Sequence, residues 1–116
     1  MDVLIATDGD DRLVCTLRSP GGVATVTAPD PATAGEELLA ALDDAREAGY
    51  GECFWPAATG EYRWMFRRTD DRLRVVALWS SGTLTGWEHV ADDETGFEAF
   101  VSQVCQGLAA IGAGRS

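Results

Sequence analysis

The 116-residue chain contains no lysine and no asparagine; all nine basic residues are arginine, set against 19 aspartates and glutamates for a net charge of −10. Affinity for phosphate backbones comes mainly from clustered Lys and Arg, so this balance argues against nucleic-acid binding. There is a single histidine, His89, and no Cys-x-x-Cys pair among Cys15, Cys53 and Cys105. Zinc sites and disulfide frameworks need denser spacing than this, so reduced thiols are expected, with no metal and no other cofactor. No apolar run approaches the roughly 18 residues of a membrane span. Met1-Asp2-Val3-Leu4-Ile5-Ala6 also lacks the basic lead and longer apolar segment of a secretory signal. A cytoplasmic protein that does not engage membranes is the expectation.

Catalytic motifs are missing as well. The sequence holds no glycine-rich phosphate loop, no Walker-type motif and no Gly-x-Ser-x-Gly elbow. Glu88 and His89 are neighbours in an expected strand, where successive side chains face opposite ways, so they are poorly placed to act as a dyad. Asp8, Asp10 and Asp11 fail the calcium-loop pattern, because Arg12 and Leu13 stand where an oxygen ligand and a glycine are needed. The reading therefore leans away from an enzyme.

What is present is pattern. Residues 3–7, 12–18 and 23–28 are β-branched or apolar runs divided by Asp8-Gly9-Asp10-Asp11 and Ser19-Pro20-Gly21-Gly22, which predicts a three-strand meander. Thr33-Ala34-Gly35-Glu36 fits a capping box for a helix running to Ala48 and stopped by Gly49, with Leu38, Leu39, Leu42 and Ala45 as its apolar stripe. The second half repeats this order: strands over 61–69, 72–79 and 83–90, then a second capping box, Thr95-Gly96-Phe97-Glu98. Phe97, Phe100, Val101, Val104, Leu108 and Ile111 recur at helical spacing before Gly112. Asp92-Asp93-Glu94 reads as negative charge placed at that helix's N-terminus, where the helix dipole favours it.

The two halves share an echo, Asp10-Asp11-Arg12-Leu13 and Asp70-Asp71-Arg72-Leu73. It suggests half-repeats over 1–49 and 60–112, although Asp-rich turns are common and a meander followed by a helix can arise twice independently. The expected fold is α+β: one domain, an antiparallel sheet of about six strands with two helices on one face, and a duplicated βββα unit as its origin.

The halves differ most in aromatic content. Residues 1–49 hold ten acids, three arginines and no aromatic, whereas all ten aromatics lie between Tyr50 and Phe100. A two-residue turn at Asp70-Asp71 sets Tyr62, Trp64 and Phe66 opposite Trp79, Ala77 and Val75 on one apolar face. The other face then carries Arg63, Met65 and Arg67 opposite Leu78, Val76 and Arg74. The like-charged pair Arg67/Arg74 needs an acid from a neighbouring strand, from the Glu52/Glu61 region or from a partner. Tyr50, Phe54, Trp55 and Pro56 fall in a segment from Gly49 to Gly60 without clear periodicity, which reads as an irregular loop, and binding residues are over-represented on such loops.

The leading functional expectation is a small acidic protein-binding domain, inhibitor-, immunity- or chaperone-like, with a basic protein as partner. Its recognition residues are Tyr50, Phe54, Trp55, Arg63, Arg67 and Arg74, types enriched at interface hot spots. The alternative is a small-molecule pocket or enzyme site lined by Tyr62, Trp64, Trp79 and Trp87. A homodimerisation module is the third reading.

Overall fold

The computed structural model describes residues 1–82 and 86–114, with the backbone alone for the last two. Three strands, β1 (Asp2–Thr7), β2 (Leu13–Ser19) and β3 (Gly22–Ala28), form an antiparallel meander. Helix α1 (Pro31–Ala48) follows, then a second antiparallel meander of β4 (Tyr50–Ala57), β5 (Gly60–Thr69), β6 (Arg72–Ser80) and β7 (Glu88–Gly96), and finally α2 (Phe97–Gly114). The α+β class is as expected, but the single sheet of about six strands is corrected, among the described residues, to seven strands in two sheets, of three and four. The helices are also divided: α1 packs mainly on β4 and β5, and α2 mainly on β1.

The extra strand is β4, which occupies the segment expected to be a loop. Gly51, Cys53 and Trp55 are buried, while Tyr50, Glu52, Phe54 and Pro56 point outward, the alternation of a half-buried strand. Gly51 hides this pattern from propensity. A Cβ placed there would lie 1.9 Å from the Ala41 carbonyl oxygen of α1, so only glycine lets the helix lie so close. Pro56 is tolerated because β4 is an edge strand.

Capping differs from expectation at both helices. The N-cap of α1 is Asp30, whose carboxylate accepts from the Thr33 amide and hydroxyl, and Pro31 fills a first-turn position where no amide donor is needed. At α2 there is no capping box: Thr95 is the last residue but one of β7, and its hydroxyl donates to the Met1 carbonyl. Asp92, Asp93 and Glu94 likewise belong to β7, not to a helix terminus. The strand expected over 83–90 is observed as β7 from Glu88 onward, and residues 83–85 lie outside the described residues.

A duplicated unit is not confirmed. The second meander has four strands to the first's three, and the shared Asp-Asp-Arg-Leu quartet builds two different turns. Asp11 takes the left-handed conformation in a turn closed by Asp8, whereas in the two-residue turn between Thr69 and Arg72 it is Asp70.

One core joins both halves. Leu13, Leu17 and Val26 of the small sheet, Leu38 and Leu42 of α1, Trp55, Trp64, Phe66, Leu73 and Val75 of the large sheet, and Phe97, Phe100 and Val104 of α2 form a single buried cluster. Tyr62, Trp64 and Phe66 do face Trp79, Ala77 and Val75 across the β5–β6 pair. Trp64 stacks on Phe66 at 5.7 Å and meets Trp55 edge-on at 5.3 Å. The core therefore occupies one side of the large sheet and leaves its other side open.

Candidate functional site: the open face of the large sheet

Strand register fixes the layout of this open face. From β4 to β7 its rows read Pro56, Glu61 and Ser80; Phe54, Arg63, Leu78 and His89; Glu52, Met65, Val76 and Asp92; and Tyr50, Arg67, Arg74 and Glu94. Five of the six residues expected to bind a partner, Tyr50, Phe54, Arg63, Arg67 and Arg74, stand together here. The sixth, Trp55, does not. It is fully buried and its indole N–H donates to the Ala34 carbonyl of α1 at 3.2 Å, so Trp55 is corrected from recognition residue to core. Neighbouring strand residues face opposite ways, and the pair Phe54-Trp55 divides between surface and core accordingly.

Sequence reasoning missed Trp87 as the companion of Phe54. Just before β7 its ring lies 6.3 Å from Phe54 across the sheet, and the two are 38% and 40% exposed. The Arg63 guanidinium sits 5.6 Å from the Phe54 ring and 6.0 Å from the Trp87 ring. Its Nε also donates to Glu52 Oε2 at 2.9 Å, and the Tyr50 hydroxyl donates to the same oxygen at 3.1 Å. The Arg63 hydrogen bonds hold the Glu52 carboxyl below the usual carboxylate range, while burial and then Glu52 push the Tyr50 phenol up. A weak cue to Trp87 existed: it precedes Glu88-His89 as the only aromatic between Trp79 and Phe97.

Arg67 and Arg74 do lie directly opposite each other, and the acid that relieves the pair comes from β7. Arg74 makes a two-pronged contact with Asp92, Nε to Oδ1 at 2.9 Å and Nη2 to Oδ2 at 2.8 Å, which lowers the Asp92 carboxyl. Among the described residues, Arg67 and Glu61 take part in no ion pair.

The aromatics expected to line a pocket do not share one. Trp64 is in the core, Tyr62 meets Trp79 at a tilt, 4.6 Å apart, on that same side, and Trp87 stands on the opposite face with Phe54. A separate apolar groove of about 270 Å³ lies between the start of α1 and the end of α2, lined by Leu13, Pro31, Leu39, Leu108 and Ile111. Among the described residues only Glu36 brings charge to it, short of the convergent polar groups of a specific ligand site. Burial pushes the Cys15 and Cys53 thiols up to about 12, which makes both unreactive, while Cys105 is exposed. Among the described residues no cluster of His, Cys, Asp and Glu is arranged to hold a metal, and no helix is long and apolar enough to cross a membrane.

Comparison of the chain with protein-family models, with curated proteins and with solved structures finds no match.

Proposed function

We propose that the chain is a protein-binding domain that covers part of another protein's surface with the open face of the large sheet. The observation that carries this reading is the exposed Phe54–Trp87 pair with the Arg63 guanidinium set beside both rings. Aromatic and arginine side chains dominate binding energy where a surface loses its water, and here they are fixed before any partner arrives. Exposed large apolar groups gathered on a sheet face mark interaction surfaces more often than single exposed residues do.

The acidic flank supports a basic partner. Glu36, Glu37, Asp43, Asp44 and Glu47 are all exposed on α1, which lies on the core side of the large sheet, and Glu37 and Asp44 reach the β4 edge, where they share a groove with Glu52 and Phe54. Such a field raises encounter rates with a positively charged protein, while the aromatic face sets the lifetime of the complex. The free thiols of Cys15 and Cys53, kept reduced inside the core, support placing this activity in a reducing compartment such as the cytoplasm. Inhibition or chaperoning of the bound protein is the form of action that a compact, non-catalytic cover suits.

The test is capture from an extract of the source cell, quantified by mass spectrometry, with wild-type bait against a Phe54→Ala/Trp87→Ala double variant. The wild-type chain should enrich a specific protein that the variant loses, while Leu4→Ala on the small sheet retains it. Equal capture by all three baits would contradict the assignment of the face.

A further inference from the structure

We infer that, when no other protein covers it, the open face of the large sheet pairs with the same face of a second copy. This rests on the reading of that face as a binding surface and names an occupant for it. The argument is electrostatic. Two faces related by a two-fold axis lie against each other with the axis in the plane of contact, so each row or column meets its own mirror position. An axis along the strands would exchange β5 with β6 and β4 with β7. Arg67 would then meet Arg74 of the second copy, and Glu52 would meet Asp92, like charge against like.

An axis across the strands gives the opposite result. It exchanges rows within each strand, so that Glu61 meets Arg67 of the second copy and His89 meets Asp92. Glu61 and Arg67, the two charges of β5 on this face that take part in no ion pair among the described residues, thereby satisfy each other between chains. The face spans four strands and about seven residues along each, roughly 20 by 24 Å, which puts it at the small end of specific interfaces. The dimer is accordingly a weak one, dissociating on the order of tens of micromolar. Its consequence is protective: the Phe54–Trp87 pair is masked until a tighter partner displaces the second copy.

Glu61 and Arg67 are six residues apart on one strand, roughly 20 Å, which is beyond the ~8–10 Å over which salt leaves exposed charges coupled. Any coupling between them must therefore arise between copies. Sedimentation equilibrium from about 5 to 500 µM should show the mass rising from 12.4 kDa toward twice that value. Glu61→Arg and Arg67→Glu should each weaken the dimer about tenfold, and the charge-swapped double variant should regain most of the loss. If Glu61→Arg does not fold, the near-isosteric Glu61→Gln takes its place and should weaken the dimer about threefold.

A mass fixed at 12.4 kDa, or a double variant no better than the sum of the singles, overturns the inference. Either result leaves the protein-binding reading to its own test, capture through Phe54 and Trp87. Loss of that capture with the dimer intact would sink the reading of a separate partner instead.

Discussion

Arg63 is held by one carboxylate and two rings, and this arrangement orders the open face without burying it. A cation over an exposed aromatic ring contributes about 0.5–1 kcal/mol, and a surface ion pair about the same, so together they fix side chains that would otherwise sample several rotamers. The ordering matters for recognition, because each rotamer-rich side chain immobilised on binding costs about 0.5–1.5 kcal/mol, much of which is already met here. Phe97 shows the same device turned inward: buried at the start of α2, it has the guanidinium groups of Arg46 and Arg68 each 4.8 Å from its ring. The cysteines give a separate test at this scale. Their burial predicts that iodoacetamide labels Cys105 alone in the native protein, with Cys15 and Cys53 reacting only on unfolding, and mass spectrometry of the alkylated chain would show it. Rapid native labelling of Cys53 would mean that the contact between β4 and α1 opens readily.

Among the elements, β4 carries most of the account, since it supplies Phe54 and Tyr50 to the face and Trp55 to the core. Its legibility in the sequence was poor for a physical reason. Strand formers at Tyr50, Phe54 and Trp55 are interrupted by Gly51 and Pro56, and those two residues are explained only by tertiary features, the closeness of α1 and the edge position. The β5–β6 pair, in contrast, could be read to the residue, because a two-residue turn fixes register and a one-residue slip would have moved Trp64 and Phe66 to the wrong face. The helices were legible in extent but not in their caps, since Thr33 reads as the N-cap of α1 until Pro31 is placed in the first turn and Asp30 becomes the cap. The shared face of Arg63, Arg67 and Arg74 followed from reading β5 and β6, whereas the segment of Tyr50 and Phe54 read as a loop and their place on that face was not legible. Trp87 escaped because it lies outside any strand and gains meaning only from Phe54 across the sheet. Gly51→Ala tests the role of β4. With a Cβ 1.9 Å from the Ala41 carbonyl oxygen, α1 and β4 must separate, and denaturant melts should show a loss of at least about 3 kcal/mol. A loss under about 1 kcal/mol would show that α1 can shift freely on the sheet.

At the scale of the whole molecule, the proposed function divides the work between charge, for attraction, and the aromatic face, for adhesion. The pairs that brace the face also make its stability depend on pH. Asp92 and Glu52 ionise more readily in the folded chain than in the unfolded one. Their contribution is therefore present above the ordinary carboxylate value near 4 and is lost as pH falls through their lower folded values. Arg74→Ala should destabilise the chain only slightly at neutral pH, given the exposure of the pair, and the difference from wild type in denaturant melts should vanish in acid. A difference that persists unchanged at low pH would assign the effect to packing of the arginine stem.

The claim that the open face is for binding, and not for folding, is tested most directly by measuring two quantities on one variant, Phe54→Ala: its affinity for the captured partner and its unfolding midpoint. Truncating an exposed hot-spot aromatic should weaken the complex at least about tenfold through faster dissociation, with the midpoint close to wild type. An unchanged affinity alongside a clearly lowered midpoint would place Phe54 among the residues that hold the fold and would contradict the account.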